Sequence, residues 1–418
     1  MLRCETKTAP SWDWLVESSG LLEGDIGVFY FKIPKRYVVS LAIVTVVKLV
    51  LAAVLYFLLG LGSFDSFWMD TTRVEPLAQN NILLEVGSQA TRWAYLFLGW
   101  DSAWYASITA HGYSFSNQSY AFLPGLPILA RGLQIFLGSP IVALVVCCFI
   151  FGVLWIPIYQ SVAEHYMGHR AAFVSSLIFA LSPFTLLFTT VAYTEGPFLF
   201  FTLVAWKLYL DRRYLSTSLV SAAASLMRIP GFLIVLPIMV DLSTSRKRGS
   251  RLRAVLIGLP TVVVLICWII FMGLSVGDPF AILHTTEWSE MYSLPTYLMY
   301  ILPEGGFGAL SFPIASLEIH LLLPVSIWCA ILLSLILIWR VSKFDRSLSL
   351  YCVAYVMGLF AFGALVSFPR FMTALFPLWL PFTGAIISRK WSVILFIVAS
   401  VASGLLLWAG FLSGVFVA

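Results

Sequence analysis

Long apolar runs recur along this chain, and they constrain its fold more than any other feature of the sequence. The first run, residues 37–62, has Lys48 as its only charged residue, and comparable runs recur toward the C-terminal end. About 20 apolar residues suffice for a helix to cross the hydrocarbon of a bilayer. Of the 418 residues, 60% are hydrophobic and 11% are charged, whereas a soluble domain carries about 25% charged residues. The sequence therefore predicts an all-α polytopic membrane protein.

The apolar runs also give the approximate positions of the membrane spans. They predict spans at 37–62, 139–160, 171–190, 196–211, 254–274, 319–341, 348–366, 370–388 and 391–415.

A further apolar stretch, residues 215–241, is interrupted by Arg-Ile-Pro-Gly at 228–231. As one helix, it would carry the basic cluster at 246–253 to the same side as Asp101. As two short helices broken at the proline and glycine, it would return that cluster to the other side. Basic residues concentrate in cytoplasmic loops, which favours the break and predicts about eleven transmembrane helices, with a cytoplasmic N-terminus and an outer C-terminus.

The polar segments predict a simple domain organisation. We expect residues 1–36 to form a cytoplasmic leader and residues 37–418 to form a single membrane domain. Within the first outer loop, 63–138, the stretches 81–99 and 121–137 have the pattern of amphipathic helices that lie at the membrane interface.

The charge distribution argues against a nucleic-acid partner, and the spacing of cysteines and histidines argues against a metal site. The net charge of +5 comes from basic residues in short loops between spans, which indicates membrane topology and no nucleic-acid partner. Neither the six cysteines nor the five histidines have the spacing of metal ligands. We therefore predict no metal site and no cofactor.

Asp101 is the most informative polar residue of the first outer loop. It lies between Trp100 and Ser102, after one predicted interfacial helix and before an aromatic-rich segment. It has two readings, as the N-cap of a helix or as a general base that takes a proton from a hydroxyl. Glu195 and His111 have plainer alternatives, as an ordinary residue of a short outer turn and as a loop histidine beside a glycine.

Arg228 and Arg370 each lie at an outer helix end beside a proline. One interpretation is that their side chains extend to the lipid headgroups. The other is that both guanidinium groups converge on one cavity, where their forked donors suit phosphate oxygens. A carboxylate and two outward arginines are compatible with a glycosyltransferase that uses a polyprenyl-phosphate sugar.

Four segments, in the same order, resemble the PIG-V family, which comprises GPI mannosyltransferase 2 enzymes and their prokaryotic relatives. They are GWDSAWYASITAHGYSFSNQSYAFLPGLPIL at 99–129, FALSPFTLLFTTVAYTEGPFLFFTL at 179–203, AAASLMRIPGFL at 222–233 and SFPRFMTALFPLWL at 367–380. One departure is Gly99, where the family often has arginine. The short outer loops resemble those of a prokaryotic or archaeal member.

The resemblance implies a GT-C glycosyltransferase fold with an outer active site. It implies Asp101 as catalytic base, Arg228 and Arg370 as ligands of the donor phosphate, and a metal-independent reaction. The residues that it implies for the sugar or acceptor pocket are Trp100, His111, Tyr113, Tyr193 and Glu195.

The same resemblance implies the substrates and the location. The donor would be dolichyl- or polyprenyl-phosphate mannose, and the acceptor a lipid-linked or surface glycan, as in GPI anchor biosynthesis. The enzyme would be integral to the plasma membrane of a prokaryote or the endoplasmic reticulum of a eukaryote, with its active site extracytoplasmic.

Two other classes of function remain open at this stage. Broken helices and intramembrane charge also occur in transporters, so a flippase of lipid-linked sugars is one alternative. Against it, the sequence shows no inverted repeat and its polar motifs lie on one face. A non-catalytic subunit of a glycan assembly complex is the other, and it would tolerate loss of Asp101.

Overall fold

The computed structural model describes residues 35–58, 93–94, 96–99, 101–113, 117–245, 250–283, 323–361 and 367–412. Every regular element in these ranges is helical, which confirms the all-α part of the predicted fold class. The α-helices are, in chain order, α1 (Lys35–Leu58), α2 (Asp101–His111), α3 (Gly125–Leu137), α4 (Pro140–Met167), α5 (His169–Leu181), α6 (Pro183–Phe188), α7 (Glu195–Leu210), α8 (Tyr214–Met227), α9 (Val235–Thr244), α10 (Ser250–Val276), α11 (Leu323–Val341), α12 (Arg346–Ala361), α13 (Phe368–Thr373), α14 (Trp379–Ile386) and α15 (Lys390–Leu412). Short 3-10 turns occur at Asn117–Ala121, Ile229–Ile234, Ala281–Leu283 and Phe376–Leu378.

Four of these helices, α1, α4, α10 and α15, are long and apolar enough to cross a membrane. Several other apolar helices in the described ranges are shorter, so the count of about eleven crossing helices stays a prediction. The leader up to residue 34 and residues 81–92 of the first predicted interfacial helix lie outside the described residues.

Two predicted spans are not continuous helices, and a proline lies at the interruption in each. The span at 171–190 is divided between α5 and α6, with Ser182 extended at φ −62° and ψ 146°. Pro183, at the start of α6, lacks a backbone N–H and disfavours a helical residue before it. The span at 370–388 is likewise divided into α13, a 3-10 turn containing Pro377, and α14.

The stretch 215–241 forms a helical hairpin, as its Arg-Ile-Pro-Gly sequence predicts. Ser218 in α8 bonds the carbonyl oxygens of Leu256 and Ile257 in α10, at 3.1 and 3.0 Å. A Cβ added to Gly258, the next residue of α10, would lie 2.7 Å from Sδ of Met239 in α9. In one straight helix Ser218 and Met239 would lie about 31 Å apart along the axis. The chain therefore reverses between them, and Arg228 lies at the tip of the hairpin.

Helix α3 confirms the helical part of the second predicted interfacial segment. It begins at Gly125, after the 3-10 turn, and carries exposed Ile135 and Phe136 beside buried Leu126 and Ala130. Large exposed apolar side chains on one face are typical of a helix that lies against lipid.

Candidate active site

Asp101 is the first residue of α2, and two neighbours fix the backbone there. The hydroxyl of Tyr193 accepts a hydrogen bond from the Asp101 N–H at 3.1 Å and donates to the Gly99 carbonyl at 3.3 Å. Ser102 bonds back to the Gly99 carbonyl through both its N–H and its hydroxyl. Burial, followed by the charge of Asp101, raises the pKa of Tyr193 well above its usual value, so its hydroxyl remains a donor.

The Asp101 carboxylate contacts an arginine from the far end of the sequence. Its Oδ2 accepts a hydrogen bond from Nη1 of Arg370 at 3.0 Å, and its side chain is 25% exposed. Among the described residues, this carboxylate accepts no hydrogen bond from the backbone of its own first helical turn. The side chain of Asp101 therefore pairs with Arg370 and does not act as an N-cap.

Glu195, the first residue of α7, pairs with both Arg228 and Arg370. Its Oε1 accepts a hydrogen bond from Nε of Arg370 at 2.5 Å. Nη1 of Arg228 forms an ion pair with the same oxygen at 2.6 Å, although the geometry is not that of a hydrogen bond. The Glu195 side chain is 2% exposed. The four side chains form a neutral group of two carboxylates and two guanidinium ions, of which Asp101 is the most exposed.

Aromatic rings fix the planes of both guanidinium groups. The Cζ of Arg228 lies 4.4 Å from the ring centre of Phe371. The Cζ of Arg370 lies 4.6 Å from that of Phe188 and 4.5 Å from that of Tyr193. Such cation–π contacts stabilise a desolvated guanidinium by about 2 kcal/mol. The forks are therefore held in place before any ligand binds.

A cavity of about 200 Å³ opens in front of this charged group. Asp101, Arg228 and Arg370 form its polar side. Most of the remaining lining is apolar and includes Phe232, Leu233 and Leu359, from the hairpin tip and α12. A drug-sized ligand needs about 300–1,000 Å³, so this cavity suits a headgroup and not a complete lipid.

The other predicted site residues that lie in the described ranges do not line the cavity. Tyr193 and Glu195 are buried behind the cavity, where they contact its polar residues. Tyr113 donates to the Phe122 carbonyl at 2.9 Å and packs on Trp268, outside the cavity lining. His111 is the exposed last residue of α2, about 15 Å along the helix axis from Asp101. Trp100 lies outside the described residues.

Two hydroxyl residues of the cavity were not among the predicted site residues. Tyr105 and Thr194 both line it. Tyr105 is four residues after Asp101, so both residues share one face of α2, and this spacing could have identified it. Burial, with the charge of Asp101 next, raises the pKa of Tyr105 above its usual value. Its hydroxyl therefore stays protonated and can donate a hydrogen bond into the cavity.

No group of three or more histidine, cysteine or acidic residues in the described ranges is arranged to hold a metal ion. Metal independence itself remains a prediction about the reaction.

Comparison with known proteins gives one family match. The family described as Mannosyltransferase (PIG-V) matches residues 38–282, which is more than half of the chain. No curated protein gives a significant match.

Among solved structures, the chain is similar to an oligosaccharyltransferase of Archaeoglobus fulgidus. The complex with Zn and sulfate has 14% identity and a TM-score of 0.47, over 90% of this chain and 53% of that chain. The apo form has 12% identity and a TM-score of 0.47, over 90% and 56%. The form tethered with an acceptor peptide has 12% identity and a TM-score of 0.44, over 90% and 55%. The chain thus spans about half the length of these proteins.

Proposed function

Since the chain belongs to the PIG-V mannosyltransferase family, we propose that it is a membrane glycosyltransferase that uses a dolichyl- or polyprenyl-phosphate sugar, with mannose as the sugar. The observation that carries this proposal is the convergence of Asp101, Arg228 and Arg370 on one cavity whose remaining lining is mostly apolar. A base, two phosphate ligands and a lipid-compatible surface are what such a transfer requires.

The donor phosphate would bind between Arg228 and Arg370. Both guanidinium groups line the cavity and are held by Glu195 and by aromatic rings. The lipid chain would leave along the apolar side, past Phe232 and Leu233 of the hairpin tip. The sugar would then lie toward α2, where Tyr105 and Thr194 offer hydroxyl groups.

Transfer would proceed by one inverting displacement. An acceptor hydroxyl gives its proton to the Asp101 carboxylate, and its oxygen bonds to the anomeric carbon. The bond from that carbon to the phosphate oxygen breaks on the opposite face, and the phosphate leaves with the electron pair. A β-linked donor thereby gives an α-linked product.

Arg370 suits this step because it contacts the group that loses negative charge. During transfer, Asp101 becomes neutral while the leaving phosphate gains a negative charge, so the total charge of the site is unchanged. Arg370 contacts Asp101, and the same fixed guanidinium lines the cavity in which the leaving phosphate would gain charge. Preorganised donors of this kind lower the barrier because they need little reorganisation.

The acceptor is proposed to be a lipid-linked or surface glycan that reaches Asp101 from the extracytoplasmic side. The N-terminus would be cytoplasmic, and in a prokaryote the enzyme would lie in the plasma membrane. These assignments rest on family membership and on the distribution of basic residues.

Donor cleavage by purified protein in lipid nanodiscs tests the proposal, and this assay does not require the natural acceptor. The protein is offered polyprenyl-phosphate mannose, and formation of polyprenyl phosphate is followed with water alone and with a panel of glycan acceptors. We expect slow hydrolysis in water and faster turnover with an acceptor, with inverted product by NMR. Absence of donor cleavage under all these conditions would reject the function.

A further inference from the structure

Lys48 is a fully buried lysine in the middle of α1. Its Nζ lies 2.7 Å from the Gly152 carbonyl oxygen, 2.8 Å from the Thr189 carbonyl oxygen and 2.8 Å from Thr189 Oγ1. In the described part of the chain, no carboxylate lies within ion-pair distance of it. Placing a lysine inside a membrane bundle costs free energy, so its presence here indicates a function.

The three contacts match the three N–H donors of an ammonium group. The Thr189 hydroxyl donates to the Thr185 carbonyl at 2.6 Å, so its oxygen lone pairs are free to accept from Lys48. Each hydrogen of the lysine therefore has an acceptor, and α1 is bonded both to α4 and to the turn after α6.

That turn, residues 189–194, carries the groups that position the catalytic residues. The Ala192 N–H donates to the Phe97 carbonyl at 2.8 Å, which joins the turn to the segment before Asp101. Tyr193 fixes the Asp101 backbone and stacks on Arg370, and Glu195 follows directly as the first residue of α7.

The helices also meet closely at this point. A Cβ on Gly152 would lie 1.9 Å from the Thr189 carbonyl oxygen, and a Cβ on Gly196 would lie 2.9 Å from Gly152 Cα. The turn thus lies directly against the backbone of α4. Lys48 bonds both sides of this contact, so its removal would take a hydrogen-bond donor away from the Gly152 and Thr189 carbonyl groups at the joint.

We propose that Lys48 is a positioning residue, which sets the place of the 189–194 turn and, through Tyr193 and Glu195, the geometry of Asp101 and Arg370. Its influence on transfer rests on the proposed function, whereas its influence on the turn does not. Lys48 touches neither the cavity nor the four-charge group, so it acts through the turn.

Hydrogen–deuterium exchange in nanodiscs tests the structural link without turnover. Lys48→Met is compared with the wild type and with Thr45→Val, whose hydroxyl bonds only the Leu41 carbonyl within α1. We expect the amides of 189–195 to exchange faster in Lys48→Met and to be unchanged in Thr45→Val.

Thr189→Val, which removes one of the three acceptors, gives a smaller change in the same direction and replaces Lys48→Met if that variant does not fold. Wild-type exchange in Lys48→Met, or in Thr189→Val where it is the substitute, overturns the proposal.

Kinetics then separate positioning from general stability. A displacement of about 1 Å can cost about 100-fold in rate, so we expect kcat to fall strongly, and by a larger factor than the donor KM rises, at temperatures well below unfolding. Lys48→Met and Tyr193→Phe should be non-additive, because both act on one turn. A loosened turn with wild-type kcat, or additive effects, refutes the positioning role. A wild type that cleaves no donor would refute the proposed function and leave the exchange result intact.

Discussion

Arg370 and Glu195 are bonded through Nε and Oε1 at 2.5 Å, although 175 residues separate them in the sequence. The same guanidinium reaches Asp101 with its Nη1 at 3.0 Å. Arg370 therefore joins the proposed base to a buried carboxylate that lines no part of the cavity. The position of each charged group in the site depends on the others.

Asp101→Asn should abolish transfer while the protein remains folded. The amide still accepts from Arg370, but it cannot take a proton, and a general base supplies about 10²–10⁴-fold in rate. We expect kcat to fall at least about 100-fold with almost no change in melting temperature.

The matched control for this variant is Asp211→Asn. Asp211 pairs with Lys207 within one helical turn at the other end of α7, so its amide should leave turnover unchanged. Near wild-type kcat in Asp101→Asn would make Asp101 a purely structural residue.

Arg370→Lys should impair turnover even though the positive charge is kept. The guanidinium serves Asp101 and Glu195 with separate nitrogens, whereas lysine offers one compact ammonium. We expect weaker donor binding and lower kcat, and the same direction for Arg228→Lys. Donor affinity and turnover are measured beside Arg389→Lys, an exposed control. Unchanged affinity and turnover at position 370 would mean that this arginine has only a structural role in the charged group.

Sequence reasoning identified the groups of the site that carry local signals. Asp101 lies in a distinctive Trp-Asp segment, and the hairpin tip is marked by Pro230 and Gly231, so both could be placed from their neighbours. Local sequence could not show that Glu195 pairs with both arginines, because that contact joins α7, the hairpin and α13. It therefore predicted a pocket role for a residue that lies behind the cavity.

In the fold too, features with a local sequence signal could be predicted, and contacts between distant residues could not. Apolar length predicted α1, α4, α10 and α15 as spans. The predicted spans at 171–190 and 370–388 do not include the interruptions at Pro183 and Pro377, whereas the break at 228–231 is predicted. The difference is that a basic cluster followed the hairpin and gave a reason to prefer a break. The bonds of Lys48 had no sequence signal, since two of its acceptors are backbone carbonyls.

Glu195→Gln should lower stability and strengthen product inhibition. Removal of one partner from a buried ion pair costs about 3–5 kcal/mol, and here one carboxylate serves two arginines. The site would gain net positive charge, so polyprenyl phosphate should bind more tightly after transfer. Thermal unfolding and inhibition by added polyprenyl phosphate check both effects. An unchanged melting temperature together with unchanged inhibition would contradict the assigned role.

Gly231→Ala should disturb the hairpin tip that carries Arg228. An added Cβ would lie 2.1 Å from the Ala224 carbonyl oxygen, so the backbone must move, and overpacking of this kind costs about 1–3 kcal/mol. Gly384→Ala is the control, because nothing lies within 4 Å of its added Cβ. We expect loss of stability and of donor affinity in the first variant only. Equal behaviour of the two would mean that the tip tolerates displacement.

Transfer should be independent of divalent metal ions. A monophosphate leaving group has no adjacent phosphate for a metal to bridge, and the two arginines already supply positive charge at the cavity. The described residues also contain no cluster of ligands suited to a metal ion, whereas magnesium and calcium require several oxygen ligands. Activity with polyprenyl-phosphate mannose should survive excess EDTA and should not rise with Mg²⁺ or Mn²⁺. GDP-mannose should not replace the donor, since the sequence has no glycine-rich phosphate loop and no Asp-x-Asp motif. Strict dependence on a divalent ion, or efficient use of GDP-mannose, would exclude the arginine-assisted mechanism.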